Sequence, residues 1–365
     1  MVRISSLLLL LLPLWSCQTL NRASIAPGKT VVTIEGEAIH INGQPTYPGR
    51  YWEGHRIEGL LFNSRMVQGI FDDLNPETRP QFHYPDTDTW DPERNTDEFV
   101  AAMPAWRDHG VLGFTINLQG GSPIGYGNRD WRNSAFDERG ELRPAYMARL
   151  KRILDRADEL GMVPIVGFFY FGQDQYLKDE AAVLNATDNA TNWLLAQGYR
   201  NVLIEINNEC NVRYDHSILQ PDNVHRLIQR VQAQSRGRQR LLVSTSYGGG
   251  TIPKPNVAAA ADFILIHGNG VKDPNRISEM VAQTRALEGY TPKPILFNED
   301  DHYNYDAENY NLLAAVKAYA SWGYFDFRRK GEGFAEGFQS VPVDWSIGSE
   351  RKRAFFRKVK EITGY

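Results

Sequence analysis

Eight short apolar runs, rich in β-branched and aromatic residues, punctuate this chain, and amphipathic stretches at helical spacing separate most of them. Strand-like runs alternating with helix-like ones predict βα units around a parallel sheet, an α/β fold. The runs are Met66–Phe71, Val111–Leu118, Met162–Phe169, Asn201–Asn207, Leu241–Ser246, Asp262–Ile266, Pro294–Glu299 and Trp322–Phe327. The periodic stretches are Asp97–His109, Pro144–Leu160, Asp222–Gln234, Asp273–Leu287 and Ala307–Ser321, with a last helix opened by Ser349 and Glu350. Pro144–Leu160 is the clearest. Met147, Leu150, Ile153, Leu154, Ala157 and Leu160 fall on one stripe, and Gly161 supplies a C-terminal stop. Eight strands, each followed by a helix, is the count of a (β/α)8 TIM barrel. The weakest link is Tyr247–Ala261, which is Gly- and Pro-rich and leaves room for about one helical turn. A doubly wound sheet is the alternative, but it binds nucleotide through a Gly-rich first turn. The first candidate turn here, Asp72-Asp73-Leu74-Asn75-Pro76, is acidic.

The N-terminus reads as an address. Arg3 precedes the leucine run Leu7–Leu12, which is far short of the roughly 20 residues that span a bilayer. Leu14-Trp15-Ser16-Cys17 resembles a bacterial lipobox, in which the cysteine is lipidated; a plain secretory signal is the alternative. The expected organisation is a signal peptide over 1–17, a tether over 18–29 and one catalytic (β/α)8 domain over 30–365. That domain begins with a small hairpin over Thr30–Tyr47, where Asn42-Gly43 is the turn signal. The expected location is outside the cytoplasm, on a lipid anchor at a bacterial envelope or otherwise periplasmic or secreted. The only other cysteine, Cys210, is then an unlinked thiol.

With 40 Lys and Arg against 44 Asp and Glu, the chain carries a net charge of −4. It therefore has no long-range attraction for phosphate backbones, which argues against a general nucleic-acid binder. HExxH, paired CxxC, P-loop and GxSxG patterns are all absent, so no metal or cofactor is called for.

In a TIM barrel the chemistry sits at the C-terminal ends of the strands. Strand four ends Asn207-Asn208-Glu209 and strand seven ends Asn298-Glu299-Asp300. These strands lie across the barrel mouth from each other, so Glu209 and Glu299 can converge. Two facing carboxyl groups are the requirement of glycoside hydrolysis: one protonates the leaving oxygen and the other attacks the anomeric carbon. Ile295, Phe297 and Glu299 share one parity, so Asp300 should point away and spare Glu299 a like-charged neighbour.

On these residues the chain resembles a clan-A retaining glycoside hydrolase of the cellulase-like, family-5-related kind. Glu205-Ile206-Asn207-Asn208-Glu209 resembles that clan's strand-four signature. The resemblance implies that Glu209 is the acid/base, Glu299 the nucleophile and Asn208 a ligand of the sugar 2-hydroxyl. It also implies that Trp322 is an aromatic platform, that His267 stands where the clan often has Tyr or His, and that Glu205 is a buried, hydrogen-bonded support. Gln119, at the end of strand two, and Tyr247, after strand five, complete the expected substrate-binding set. The chain departs from the pattern at Cys210, where the clan has Pro, and at the end of strand two, where Gln119-Gly120-Gly121 stands in place of an arginine. The implied substrate is a β-linked oligo- or polysaccharide, and the expected state is a monomer. A non-catalytic glycan-binding lipoprotein and a transglycosylase are the alternatives. The long segment Asp72–Asn95, the loop bearing Tyr126, Arg129, Trp131 and Arg132, and Glu332–Trp345 are expected cleft walls.

Overall fold

The computed structural model describes residues 28–126 and 130–365. The leader, Cys17, most of the tether and Arg129 lie outside the described residues.

The chain enters through three short antiparallel strands, β1 (Val32–Glu35), β2 (Ala38–Ile41) and β3 (Gln44–Pro45). Asn42 and Gly43 both adopt left-handed backbone, φ 54° and 75°, as a two-residue hairpin turn requires. That turn joins β2 to β3; Gly36 serves the β1–β2 turn, so the expected hairpin gains a third strand. A second hairpin, β4 (Tyr51–Trp52) with β5 (His55–Arg56), follows. This small layer covers the base of the barrel. Val32 N donates to Arg200 O at 2.9 Å, Ile39 N to Gly59 O at 2.9 Å and the Tyr47 hydroxyl to Gly110 O at 2.7 Å, all on loops that lead into barrel strands.

The barrel strands are β6 (Asn63–Arg65), β7 (Gly113–Asn117), β8 (Val163–Tyr170), β9 (Leu203–Asn208), β10 (Leu242–Ser244), β11 (Ile264–His267), β12 (Ile295–Glu299) and β13 (Gly323–Tyr324). Six form one parallel sheet in the order β10-β9-β8-β7-β6-β13, and β11 pairs with β12 in parallel. Parallel bridges Leu296–Ser321 and Asp300–Tyr324 join β12 to the β13 segment. Asp262 N donates to Val243 O at 3.0 Å and carries the circuit from β10 to β11. The expected TIM barrel is the fold found. Around it run α1 (Pro92–Arg107), α2 (Pro144–Leu160), α3 (Glu180–Gln197), α4 (His225–Gln232), α5 (Pro255–Ala260), α6 (Pro274–Arg285), α7 (Asn311–Lys317) and α8 (Glu350–Thr363).

One strand lies elsewhere than its pattern predicts. The apolar run Met66–Phe71 is a buried 3-10 turn at Val67–Gly69, held under α1 by Asn95 Nδ2 to Gln68 O at 2.7 Å and Thr96 Oγ1 to Gly69 O at 2.9 Å. The strand precedes it and is the polar Asn63-Ser64-Arg65. Apolarity marked burial correctly, but the strand faces a charged interior and so lacks the apolar signature. Helix α3 lies outside the periodic stretches that the sequence predicts. Its inward stripe is Ala182, Val183, Ala186, Ala190 and Leu194, small residues that give a weak contrast between faces. Helix α2 has the expected bounds and closes on Gly161 at φ 71°.

Candidate active site

The C-terminal ends of β6, β9, β11 and β12 bring four charged or titratable side chains together. Arg65, His267 and Glu299 are almost wholly buried, with side-chain exposures of 1, 0 and 6 per cent, and Glu209 is 15 per cent exposed. One oxygen of Glu209, one of Glu299 and a ring nitrogen of His267 lie within 4.8 Å of one another. His267 Nδ1 is 2.9 Å from Glu209 Oε1 and 3.6 Å from Glu299 Oε2. Arg65 Nε stands 3.1 Å from Glu299 Oε2, and Asn269 Nδ2 donates to Glu299 Oε1. Two carboxylates thus share one small volume with a guanidinium and an imidazole.

Local backbone explains how they reach it. Glu209 leaves β9 with φ 53°, a left-handed conformation unusual for a non-glycine residue. Its N–H donates to Ser246 Oγ at 2.9 Å, and Cys210 N donates to Ser246 O at 2.9 Å, so the end of strand five pins the turn. Such strain costs on the order of 1–3 kcal/mol and persists where surrounding contacts over-determine it. Glu299 keeps the inward parity of Ile295 and Phe297. Asp300 turns into the wall, where it accepts from Trp322 Nε1 at 3.0 Å, Asn311 Nδ2 at 3.0 Å and His302 N at 3.1 Å. Asp300 therefore does not face the cavity beside Glu299.

The charges perturb one another. Burial would lift the Glu209 carboxyl, but the hydrogen bond with His267, its charge and that of Arg65 outweigh this and hold Glu209 below its ordinary value. Burial holds Glu299 above its ordinary value; Arg65 and His267 oppose that shift, and the Glu209 charge adds to it. Burial would lower His267, yet the Glu299 charge, the hydrogen bond to Glu209 and its charge raise it.

Glu209, His267 and Glu299 are close enough together to ligate a cation. Arg65 at 3.1 Å from Glu299 already supplies a fixed positive charge, so the donor set does not suit one. Asp300, Asp301 and His302 form a second close group. There His302 bridges both carboxyls, and its hydrogen bonds to Asp300 and Asp301 push it up to about 9, so the imidazolium already supplies a positive charge between them.

Of the expected residues, Glu209, Glu299, His267 and Asn208 meet at this site. Asn208 is 2 per cent exposed, lines the cavity, and its Oδ1 has no protein partner among the described residues. Four others stand differently. Trp322 is fully buried in the wall, donating to Asp300 and packing near Tyr305 and Phe355, so it presents no face to the cleft. Gln119 is buried between Gln173 and Tyr170, where its amide bonds backbone at 3.3 and 3.4 Å. Tyr247 is buried against Cys210, whose thiol is pushed up to about 12 by burial. Glu205 is fully buried, as expected, but neither carboxylate oxygen has a hydrogen-bond partner among the described residues; it acts through space on Arg65 and His267. No residue of the Asp72–Asn95 segment lines the cavity over the two glutamates. Phe71, Phe82, Trp90 and Val341 pack as a separate apolar cluster there.

The cavity over the two glutamates has a volume of about 240 Å³. Ser122, Gly125, Tyr126, Tyr170, Phe171, Arg213, Phe325 and Gln339 complete its lining, of which Tyr126 and Gln339 fall on expected walls. Sequence reasoning missed Arg65, Asn269 and Arg213. For Arg65 the available signal was a lone cation inside the buried stretch Leu60–Ile70. A larger open groove of about 720 Å³ lies at the barrel base, lined by Arg200, Arg236, Arg238 and Arg240, and holds no acid/base pair.

No sequence-family profile matches this chain, and no curated protein matches it either. Solved structures do. An endo-1,4-β-mannanase from Rhizomucor miehei aligns at TM-score 0.57 and 10 per cent identity, covering 92 per cent of this chain and 99 per cent of that one. A β-mannanase from the blue mussel Mytilus edulis aligns at 0.55 and 10 per cent, covering 92 and 97 per cent. A glycoside hydrolase of family 5 from Bacteroides vulgatus aligns at 0.53 and 16 per cent, covering 91 and 71 per cent. At these identities the likeness is one of fold: the barrel is the one on which family-5 glycoside hydrolases are built.

Proposed function

We propose that this chain is a retaining glycoside hydrolase acting on a β-linked glycan by double displacement. The observation that carries the reading is the approach of Glu209 and Glu299 oxygens to within 4.8 Å. Retaining enzymes hold their carboxyl groups about 5–5.5 Å apart and inverting ones about 6.5–9.5 Å, because the latter must seat a water between them. Glu299 attacks the anomeric carbon while Glu209 gives its proton to the leaving oxygen; Glu209 then takes a proton from the water that releases the sugar. The partners of Glu299 favour this assignment over the reverse. Arg65 can only donate to it, so the ionised form of Glu299 is the one this guanidinium recognises. Glu209 faces His267, whose Nδ1 donates or accepts according to tautomer, so the 2.9 Å contact suits either partner holding the proton. The His267–Glu209 pair carries one proton, and bringing the glycosidic oxygen against Glu209 Oε2 draws it to the carboxyl.

Incubation with 2-deoxy-2-fluoro glycosides followed by intact-mass analysis tests the assignment. The labelled peptide is expected to contain Glu299, and Glu299→Ala is expected to regain turnover with azide. Wild-type-like turnover in Glu299→Ala would sink it, and a silent protein that still binds glycan would favour the non-catalytic reading. On the same reading the enzyme is exported, held at a bacterial envelope through lipid on Cys17, and active as a monomer. Metabolic labelling with an alkyne fatty acid, lost in Cys17→Ala, checks the anchor.

A further inference from the structure

An enzyme that cuts inside a polymer needs an open cleft on both sides of its catalytic pair. This chain closes one side. The loop after β7 and the loop after β13 meet above the end of β6, the strand that lies between theirs. Val341 N donates to Pro123 O at 2.7 Å and Gln339 Nε2 to Ser122 O at 3.1 Å. Tyr126 sets its ring against Phe325 and Phe327, with centroids 5.7 and 5.1 Å apart. Gly125 is packed so closely that a Cβ there would stand 2.5 Å from the Phe327 ring. Two backbone-anchored hydrogen bonds and an aromatic contact therefore clasp the loops over Arg65. Behind the clasp, the Ser122 hydroxyl lies 3.0 Å from that of Tyr170, and the Tyr170 ring forms a further part of the lining.

The space left is small. The cavity over the glutamates, about 240 Å³, falls below the roughly 300 Å³ at which sites for drug-sized ligands begin, which suits a single sugar ring better than a stretch of polymer. Arg213 lies in the loop that follows Glu209, is exposed, and forms the rim on the acid/base side, where a leaving group departs.

Resting on the hydrolase reading above, we propose that the enzyme is exo-acting: it takes the terminal ring of a glycan into this pocket and releases it as a monosaccharide. The clasp stops the chain at that ring, and the leaving saccharide extends out past Arg213. No step beyond double displacement is needed. The glycosidic C–O bond breaks with its electron pair going to the leaving oxygen, which takes the pair's proton, and water later restores that proton.

The test follows early products from hexasaccharides of β-linked glucose, mannose and xylose labelled at the reducing end. Expected products are free monosaccharide and a labelled pentasaccharide, shortening one unit at a time. Labelled di-, tri- and tetrasaccharides appearing together in the first turnovers would overturn exo action while leaving the hydrolase reading intact. Absence of turnover on every substrate, together with absence of 2-fluoro labelling at Glu299, would overturn the hydrolase reading and this inference with it. In Tyr126→Ala with Gln339→Ala, the clasp loosens and internal fragments should appear. A folded double variant that still releases only single sugars would show that the clasp does not set the cut.

Discussion

Replacing Arg65 with Met leaves a carboxylate buried without its fixed cation. The two side chains are 1 and 6 per cent exposed, and Nε lies 3.1 Å from Glu299 Oε2. With charge centres about 4 Å apart and an effective dielectric of about 20, the attraction is about 4 kcal/mol. Asn269 and His267 remain, and water enters part of the vacated volume, so about 2–3 kcal/mol of the stabilisation of ionised Glu299 should be lost. That loss corresponds to about 30- to 150-fold in kcat/KM at 1.36 kcal/mol per decade. The sign in pH follows from the same contact. Arg65 favours the ionised form of Glu299, so its removal raises Glu299 further above its ordinary value, and the acid limb of kcat/KM moves to higher pH. The assay is kcat/KM from pH 3 to 9 on an activated aryl glycoside, below the unfolding temperature of each variant. Arg65→Lys keeps the charge and should retain most of the lost activity. An Arg65→Met enzyme within threefold of wild type, with an unmoved acid limb, would refute the claim that this guanidinium holds the nucleophile ionised.

The alkaline limb tests the proton pair. His267 is raised above its ordinary value, so the pair should keep its proton until the pH passes above about 6.5, and kcat/KM should fall only beyond that. In His267→Gln the proton rests on Glu209 alone, and the alkaline limb should move down toward the carboxylate range; an unchanged limb in the pH profile would exclude the pairing. Trp322→Phe removes the indole donor to Asp300 at 3.0 Å and should cost about 1–3 kcal/mol of stability by urea unfolding, with KM nearly unchanged. A severalfold rise in KM with unchanged stability would restore Trp322 to the cleft.

The barrel was legible because seven of its strands are buried on both faces, and such strands read as continuous apolar runs. The same rule fails at β6, where Asn63 and Ser64 bond backbone carbonyls of neighbouring strands, Arg65 meets Glu299, and the apolar run belongs to the turn beneath α1. Glu209 and Glu299 could be read from strand order and parity alone. Trp322, Gln119 and Tyr247 could not be placed, because a strand-end side chain can turn to the mouth or to the wall, and the hydrogen bonds of Trp322 to Asp300 and of Gln119 to Gln173, with the burial of Tyr247, decide it. Asn269 and Arg213 lie on loops, whose paths no periodicity encodes.

The displaced arginine explains how a familiar arrangement can sit in an unfamiliar sequence. The resembled family has an arginine at the end of strand two, where this chain carries Gln119-Gly120-Gly121. Strand one is the neighbour of strand two, and Arg65 pairs in register with Thr115 of β7. A guanidinium there reaches the same Glu299 from one strand over. What the nucleophile requires is a buried donor that cannot take its proton, and any strand end within about 4 Å can supply it. Electrostatic demand at the mouth therefore fixes charges and distances while leaving strand assignments free. If so, a strand-two arginine should restore an Arg65→Met enzyme. Gln119 is the wrong donor site, since its amide is committed to Gln173 and Tyr170, whereas Asn117 has its side-chain nitrogen and oxygen buried and unpartnered among the described residues. Arg65→Met with Asn117→Arg should recover part of the lost kcat/KM and return the acid limb toward lower pH. Recovery of neither, in a folded protein, would mean that position as well as charge is required.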